Sequence, residues 1–283
     1  MIEQVQKIAV TELYGFKDHP FQVKQDEAMQ ALCDSIRQYG VLSPLLARPI
    51  KDGFEIVSGH RRKAAALSLG LDKLPVLVRD MSDDEAVILM VDSNIQRENL
   101  LPSEKAFAYK MKYEALKHQG QRNDLTCGQV AHKLKSRDIL AEQVGESEKQ
   151  VRRYIRLTNL AKPILDLVDE QRIAFSPAVE LSYLTKLEQA ELWDIMQSED
   201  CTPSLSQAVR MKKLSQIVQL TPERIFDIMS EEKANQKERV RLEVNAIRKY
   251  FPRGYTAAQM EQSILKMLEE QFKRRRKGRE ERQ

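Results

Sequence analysis

Three stretches of the chain combine residue types and spacings that could do chemistry. The first is Ile56-Val57-Ser58-Gly59-His60-Arg61-Arg62, an apolar run of strand length, a glycine turn, then a basic pair at a helix start. A helix N-terminus presents free N–H groups and the positive end of its dipole. Glycine allows close backbone approach, and guanidinium groups clamp oxygens. Ser58, Gly59, His60, Arg61 and Arg62 therefore read as an anion cradle, although a structural turn with surface arginines has the same sequence. The second stretch, Met90–Asn99, follows an apolar helical run. Asn94 could offer a carbonyl oxygen to a hard cation such as Mg²⁺, and Arg97 could meet a phosphate. An ordinary helix C-terminus is the alternative.

The third stretch is Arg137–Leu157. A DNA-reading helix-turn-helix needs a small residue where the second helix crosses the first, a residue tolerant of positive φ at the turn, and apolar spacing along the second helix. Ala141 and Gly145 meet the first two needs, and Leu140, Val144, Val151 and Ile155 meet the third. Ser147 is the expected cap of the second helix, with Gln150 completing a capping box. The outward side then carries Glu148, Lys149, Gln150, Arg152, Arg153 and Arg156. Gln and Arg pair with base edges, and Lys and Arg neutralise phosphates. The candidate DNA-binding residues are thus Ser147, Lys149, Gln150, Arg152, Arg153 and Arg156. A helical hairpin with a solvated basic face is the bland alternative, and the basic second helix tips the balance toward DNA.

Other chemistries lack support. His60 has no Ser/Asp or Cys partner at a useful spacing, so a hydrogen-bonding role fits it better than catalysis. Cys33, Cys127 and Cys201 are scattered and odd in number, which argues against a zinc site or a disulfide framework and fits a reducing cytoplasm. The longest apolar run, Ala86–Val91, is far short of the ~20 residues of a membrane span. The first residues have no basic or apolar leader pattern, so no signal peptide is expected. The net charge of +4 is modest. Its distribution matters more, with basic clusters at Lys149–Arg156 and Lys273–Arg279.

These residues must be positioned by elements that the periodicity outlines. The 283 residues suggest two or three domains. Residues 1–100 read as a small mixed α/β domain, with strand-length apolar runs at Lys7–Leu13, Pro44–Pro49, Phe54–Val57 and Leu74–Val78. Between them lie amphipathic helices at Asp26–Tyr39 and Arg61–Leu69, each ended by a glycine. Residues 101–230 read as all helical. Capping boxes are expected at Ser82–Glu85, Thr126–Gln129, Thr185–Glu188 and Ser204–Gln207, and caps before proline at Ser176-Pro177 and Thr221-Pro222. Residues 231–283 read as a linker, a strand through Val240, Leu242 and Val244, an amphipathic helix over Ala257–Phe272, and a disordered, phosphate-seeking basic tail. About 45 residues are few for a stable unit, so this part is expected to dimerise. The fold class is α+β.

In this order the pieces resemble the ParB family of DNA-partition proteins, over about residues 5–215. His19-Pro20-Phe21-Gln22-Val23-Lys24 matches the family's first box, Ser58-Gly59-His60-Arg61-Arg62 its second and Ser93-Asn94-Ile95-Gln96-Arg97-Glu98 its third, with the helix-turn-helix following at 137–157. The resemblance implies a CTP- and Mg²⁺-binding N-terminal domain that includes Gln22, with Asn94 as a metal ligand, and recognition of an inverted repeat in double-stranded DNA. It implies a homodimer that nucleotide closes into a sliding clamp, a ParA-type ATPase partner, and a cytoplasmic, nucleoid- or plasmid-associated protein. Two departures weaken the nucleotide part. Val23-Lys24 replaces the usual Pro-Arg, leaving a point charge without bidentate geometry. Ser93 replaces the usual metal-binding Glu, which removes a strong oxygen ligand, so slow CTP hydrolysis is the most that is expected. A transcriptional regulator or nucleoid-associated factor using the same helix-turn-helix without nucleotide is the alternative. Sulfiredoxins share the N-terminal fold and place a catalytic Cys at the glycine turn, but this chain has Ser58-Gly59-His60 there.

Overall fold

The computed structural model describes residues 5–97, 100–124, 136–231, 247–252 and 254–280, and its contacts divide the chain into two units, Met1–Glu231 and Glu232–Gln283. The first unit begins with a five-stranded mixed sheet made of β1 (Val5–Ala9), β2 (Leu13–Tyr14), β3 (Leu45–Ile50), β4 (Gly53–Ser58) and β5 (Lys73–Val78), in the order β1-β5-β3-β4-β2. β3 and β4 form an antiparallel hairpin, while β3 pairs with β5 and β4 with β2 in parallel. Alternation along these strands buries Leu45, Ala47, Ile56, Leu74 and Val76 completely. The expected strand over Lys7–Leu13 is interrupted. Val10–Glu12 turns as a 3₁₀ helix, and the Val10 N–H leaves the sheet ladder to donate to the Asp72 carbonyl at 2.9 Å.

Two helices flank the sheet. Helix α1 (Glu27–Tyr39) is capped by the Asp26 carboxylate, which accepts from the Met29 N–H, and it stops at Gly40. Helix α2 (His60–Ser68) follows β4 directly through Gly59. Helix α3 (Asp83–Ile95) starts at a complete Ser82/Glu85 capping box. It packs on α4 (Pro102–Asp124), which in turn packs on the helix-turn-helix. Lys112 of α4, 1% exposed, reaches Asp92 of α3 at 2.5 Å.

The remaining described helices of this unit are α5 (Ser136–Val144), α6 (Glu148–Leu157), α7 (Lys162–Asp169), α8 (Phe175–Leu181), α9 (Lys186–Ser198), α10 (Leu205–Gln216) and α11 (Pro222–Ser230). The boxes at Thr185/Glu188 and Ser204/Gln207 form as expected, and Thr221 caps α11. Ser176-Pro177 is not a helix start. Helix α8 begins at Phe175, and Pro177 sits inside its first turn, where its missing N–H breaks no intrahelical bond. Helices α6 to α11 share an apolar core that includes Leu157, Ile164, Leu181, Leu192, Met211 and Ile225, while α5 buries Leu140 and Ala141 against α4 and α6.

In the second unit, α12 (Ala257–Glu280) continues through the segment expected to be a disordered basic tail. Lys, Arg and Glu are good helix formers, and basic residues near a helix C-terminus complement its dipole, so the backbone need not end at Phe272. The expected strand through Val240–Val244 and the cap at Thr126 lie outside the described residues. No described helix is long and apolar enough to cross a membrane.

Candidate functional site

The β4–α2 turn is set by Gly59. Its φ of +111° suits glycine, and a Cβ there would meet Leu45 Cγ at 2.8 Å. The turn opens into a cleft of about 380 Å³ lined by Ala28, Leu32, Ser58, Gly59, His60, Arg61, Arg62, Ser93, Asn94 and Arg97. The structure thus brings together seven of the eight residues singled out around this chemistry. Gln22 is exposed and does not line the cleft. Its N–H donates to Glu104 Oε1 at 2.7 Å, and Glu104 Oε2 accepts from Leu101 N–H at the start of α4.

Inside the cleft the polar groups are largely held by the protein itself. Arg62 donates through Nη1 to the carbonyls of Ser43 and Pro44 at 2.6 and 2.8 Å, so it ties down the approach to β3. Arg61 pairs with Asp26 at 3.0 Å, while its buried Nε has no hydrogen-bond partner. His60 Nε2 accepts from the Phe16 N–H at 3.2 Å, and its ring lies 3.9 Å from that of His19. Burial, followed by the nearby His19, Lys63 and Arg97, pushes the His60 pKa down to about 3, so the ring is neutral and serves as an acceptor rather than a base. His19 is lowered too, chiefly by burial, although its hydrogen bond to the Phe21 carbonyl opposes the shift. Arg97 is lowered by burial and by Arg61. That is the direction expected where cations crowd a space short of anions. Asn94, 4% exposed, spends its amide hydrogens on the Met90 carbonyl and on Ser93 Oγ, which leaves Oδ1 as its free ligand atom. Among the described residues no group of three or more His, Cys, Asp or Glu could hold a metal by itself.

The helix-turn-helix is built as its spacing suggests. Gly145 takes φ of +69° at the turn. Leu140, Ala141 and Val151 are buried with Tyr109 of α4, and Val144 and Ile155 pack against them. Ser147 Oγ accepts from the Gln150 N–H at 3.2 Å. The expected return bond from Gln150 does not form, because its Oε1 instead accepts from Arg153 at 3.3 Å.

Along α6 runs an open groove of about 650 Å³, walled by α4, α5 and α8. Lys110, Arg137, Lys149, Arg152, Arg153 and Arg156 give it six cations, against the single carboxylate of Glu180. The basic residues of α6 divide into two sets. Lys149 and Arg152 are exposed. Arg153 and Arg156 lean on α8 and the corner after it: Arg153 lies 4.8 Å over Phe175 and donates to Ser176 Oγ at 2.7 Å. Arg156 lies 4.0 Å over Tyr183 and donates to the Ser182 carbonyl at 3.0 Å. Sequence reasoning missed Lys110, Tyr113, Asn159 and Tyr183 of the groove, and His19 beside His60. The contacts of Tyr113 with Arg137, Tyr183 with Arg156 and His19 with His60 join residues 24, 27 and 41 positions apart, beyond any local pattern.

A family described as the ParB N-terminal domain matches residues 1–95. The chain is 35% identical over 210 residues to the probable chromosome 1-partitioning protein ParB of Deinococcus radiodurans, covering 74% of this chain and 66% of that protein. It is 32% identical over 219 residues to stage 0 sporulation protein J of Bacillus subtilis, covering 73% of this chain and 71% of that relative. Among solved structures, it is similar to the C-terminally truncated chromosome-partitioning protein ParB from Caulobacter crescentus complexed with CTP-γ-S. There the identity is 26% and the TM-score 0.31, covering 63% of this chain and 92% of the other. The chain spans about two thirds of the length of the curated relatives it matches.

Proposed function

The chain belongs to the ParB family, and on that premise we propose that it is a sequence-specific DNA-binding partition protein that grips a centromere-like inverted repeat through α6. The observation that carries this reading is the groove with six cations beside a capped, basic helix. Duplex DNA is a dense polyanion, so such a groove supplies affinity, while side chains at the start of the recognition helix supply sequence readout. Lys149 and Arg152, exposed at that end, are assigned to base edges or phosphates. Gln150 and Ser147 stand next to them. Arg153 and Arg156, held against α8, are assigned to the backbone.

The N-terminal cleft is proposed to take CTP. A cleft of about 380 Å³ lies within the size range of small-ligand sites. Gly59 permits close backbone approach, the α2 N-terminus adds its dipole, and Arg61 and Arg97 face the same space. When bound, the nucleotide would supply the switch that closes two chains of a homodimer into a clamp. Arg61 and Arg97 would hold its phosphates, and Asn94 Oδ1 would be the protein's ligand to Mg²⁺, the rest of that shell coming from phosphate oxygens and water. Ser58 and His60 would line the turn, with Arg62 bracing it. A ParA-type ATPase is the proposed partner, and residues 231–283 the proposed dimerisation part.

Selection of duplexes from a random pool, followed by fluorescence anisotropy against a scrambled sequence, tests the DNA reading. An inverted repeat preferred by about 10³-fold or more supports it; equal affinity for all duplexes contradicts it. Calorimetry with CTP, ATP and GTP in Mg²⁺ tests the cleft. Selective uptake of CTP is expected, and no uptake of any nucleotide would leave a partition protein without the switch.

A further inference from the structure

Tyr183, at the corner between α8 and α9, has no part in the helix-turn-helix motif, yet it lines the basic groove and is 40% exposed. Two cations lie close to its ring: the Arg156 guanidinium at 4.0 Å from the centroid and the Lys212 ammonium at 3.8 Å. Both cations are thus in direct contact with the one ring. The Lys212 charge is balanced by Glu180 at 2.8 Å. No carboxylate pairs with Arg156 among the described residues. Its Nη2 donates to the Ser182 carbonyl, while its Nε is buried without a hydrogen-bond partner. A long basic side chain is thus stacked, anchored at one nitrogen and left with charge to spare, on the wall of a groove proposed to hold a polyanion.

We propose that Tyr183 is a positioning residue for DNA: it fixes the Arg156 guanidinium as a rigid grip on a backbone phosphate, on the groove wall facing the exposed side of α6. A flexible arginine pays rotamer entropy when it meets a phosphate, and stacking on an aromatic face removes much of that cost before DNA arrives. The Glu180–Lys212 pair packs against the same ring and helps to hold it in place. Because a phosphate carries no sequence information, the grip adds affinity to every duplex equally.

The proposal rests on the DNA reading above, and one double-mutant cycle on the full chain separates the two. Kd is measured by anisotropy on the selected duplex and on a random duplex across a salt series. Arg156→Ala is expected to weaken both duplexes by about 10- to 100-fold and to lower the salt slope by about 0.9 per bound chain. Tyr183→Leu is expected to weaken both by roughly threefold to tenfold, Tyr183→Phe to restore the loss, and the double variant to bind no worse than Arg156→Ala alone. Arg156→Lys, which keeps charge but loses the planar stack, is expected to lose nearly as much as Arg156→Ala; this arm is informative even if Tyr183→Leu unfolds. A Tyr183→Leu loss that adds in full to that of Arg156→Ala overturns the proposal. So does a Tyr183→Leu protein that melts normally and binds normally, or an Arg156→Lys protein that binds like the wild type. Failure of the unsubstituted chain to bind any duplex would instead remove the reading beneath it.

Discussion

The cleft and the groove are both rich in arginine, yet they hold it differently. In the cleft, Arg62 is tied to two backbone carbonyls and Arg61 to Asp26, and His60 is held as a neutral acceptor. In the groove, Lys149 is exposed, Arg152 is exposed with Glu148 at 3.9 Å, and Arg153 and Arg156 are braced on aromatic faces and bonded to Ser176 Oγ and the Ser182 carbonyl, with no carboxylate paired to either among the described residues. A braced cation with spare charge is ready for a polyanion. Arg61, whose charge Asp26 already balances, must first exchange partners. The groove is therefore preorganised, while the cleft must exchange protein contacts to take an anion, which suits the switch proposed for it.

The contrast can be broken most severely at Gly59. Gly59→Ala combines a φ that L-residues rarely adopt with a Cβ 2.8 Å from Leu45 Cγ, and it should destabilise the chain by about 2–4 kcal/mol. A thermal melt shifted by less than a degree would mean that the turn is softer than its geometry implies. Next is Arg152→Ala, expected to cost about 1–3 kcal/mol of specific binding if it reads a base. Equal loss on a random duplex would reassign it to a phosphate and make the exposed and braced arginines alike in role.

Acid probes the cleft. The folded His60 protonates near pH 3 and the ordinary residue near 6.5. Between those values the unfolded chain binds the extra proton, so stability rises with pH across the window and is lost as pH falls through it. Going from pH 7 to pH 5 should cost about 1–2 kcal/mol, and His60→Gln, which can still accept from the Phe16 N–H, should flatten that loss. Denaturant melts at the two pH values decide it; an equal loss in the variant would assign the acid sensitivity elsewhere. The smallest effect is expected for Arg61→Ala. Its pair with Asp26 is solvent-accessible, so stability should move by less than about 0.5 kcal/mol. CTP affinity by calorimetry should nevertheless fall roughly tenfold or more. A large loss of stability with unchanged CTP uptake would make Arg61 structural, like Arg62.

Much of this was legible in the sequence where interactions are local. Period-2 and period-3.6 patterns placed the later strands and α1, and glycines at 40, 59 and 145 marked turns that their φ values require. The capping boxes at Ser82, Thr185 and Ser204 were equally readable, since each is a contact three residues long. Long-range partners were not. Nothing near Arg62 announces that it will bond to carbonyls 18 and 19 residues upstream, nor that Gln150 will turn to Arg153 instead of its own N-cap. The 3₁₀ turn at Val10 is set by the Asp72 carbonyl. The sequence placed seven cleft residues together through motif order, but which of them are free to bind was a property of tertiary contacts.

The division of labour between the two regions is tested most directly by hydrogen–deuterium exchange on the full chain, with the selected duplex and with CTP and Mg²⁺ added separately. DNA is expected to slow exchange over residues 147–159 and 179–184 and to leave 58–62 and 93–97 unchanged, while CTP slows the second set first. Protection of the cleft by DNA, or no protection of the groove by a duplex that demonstrably binds, would contradict it.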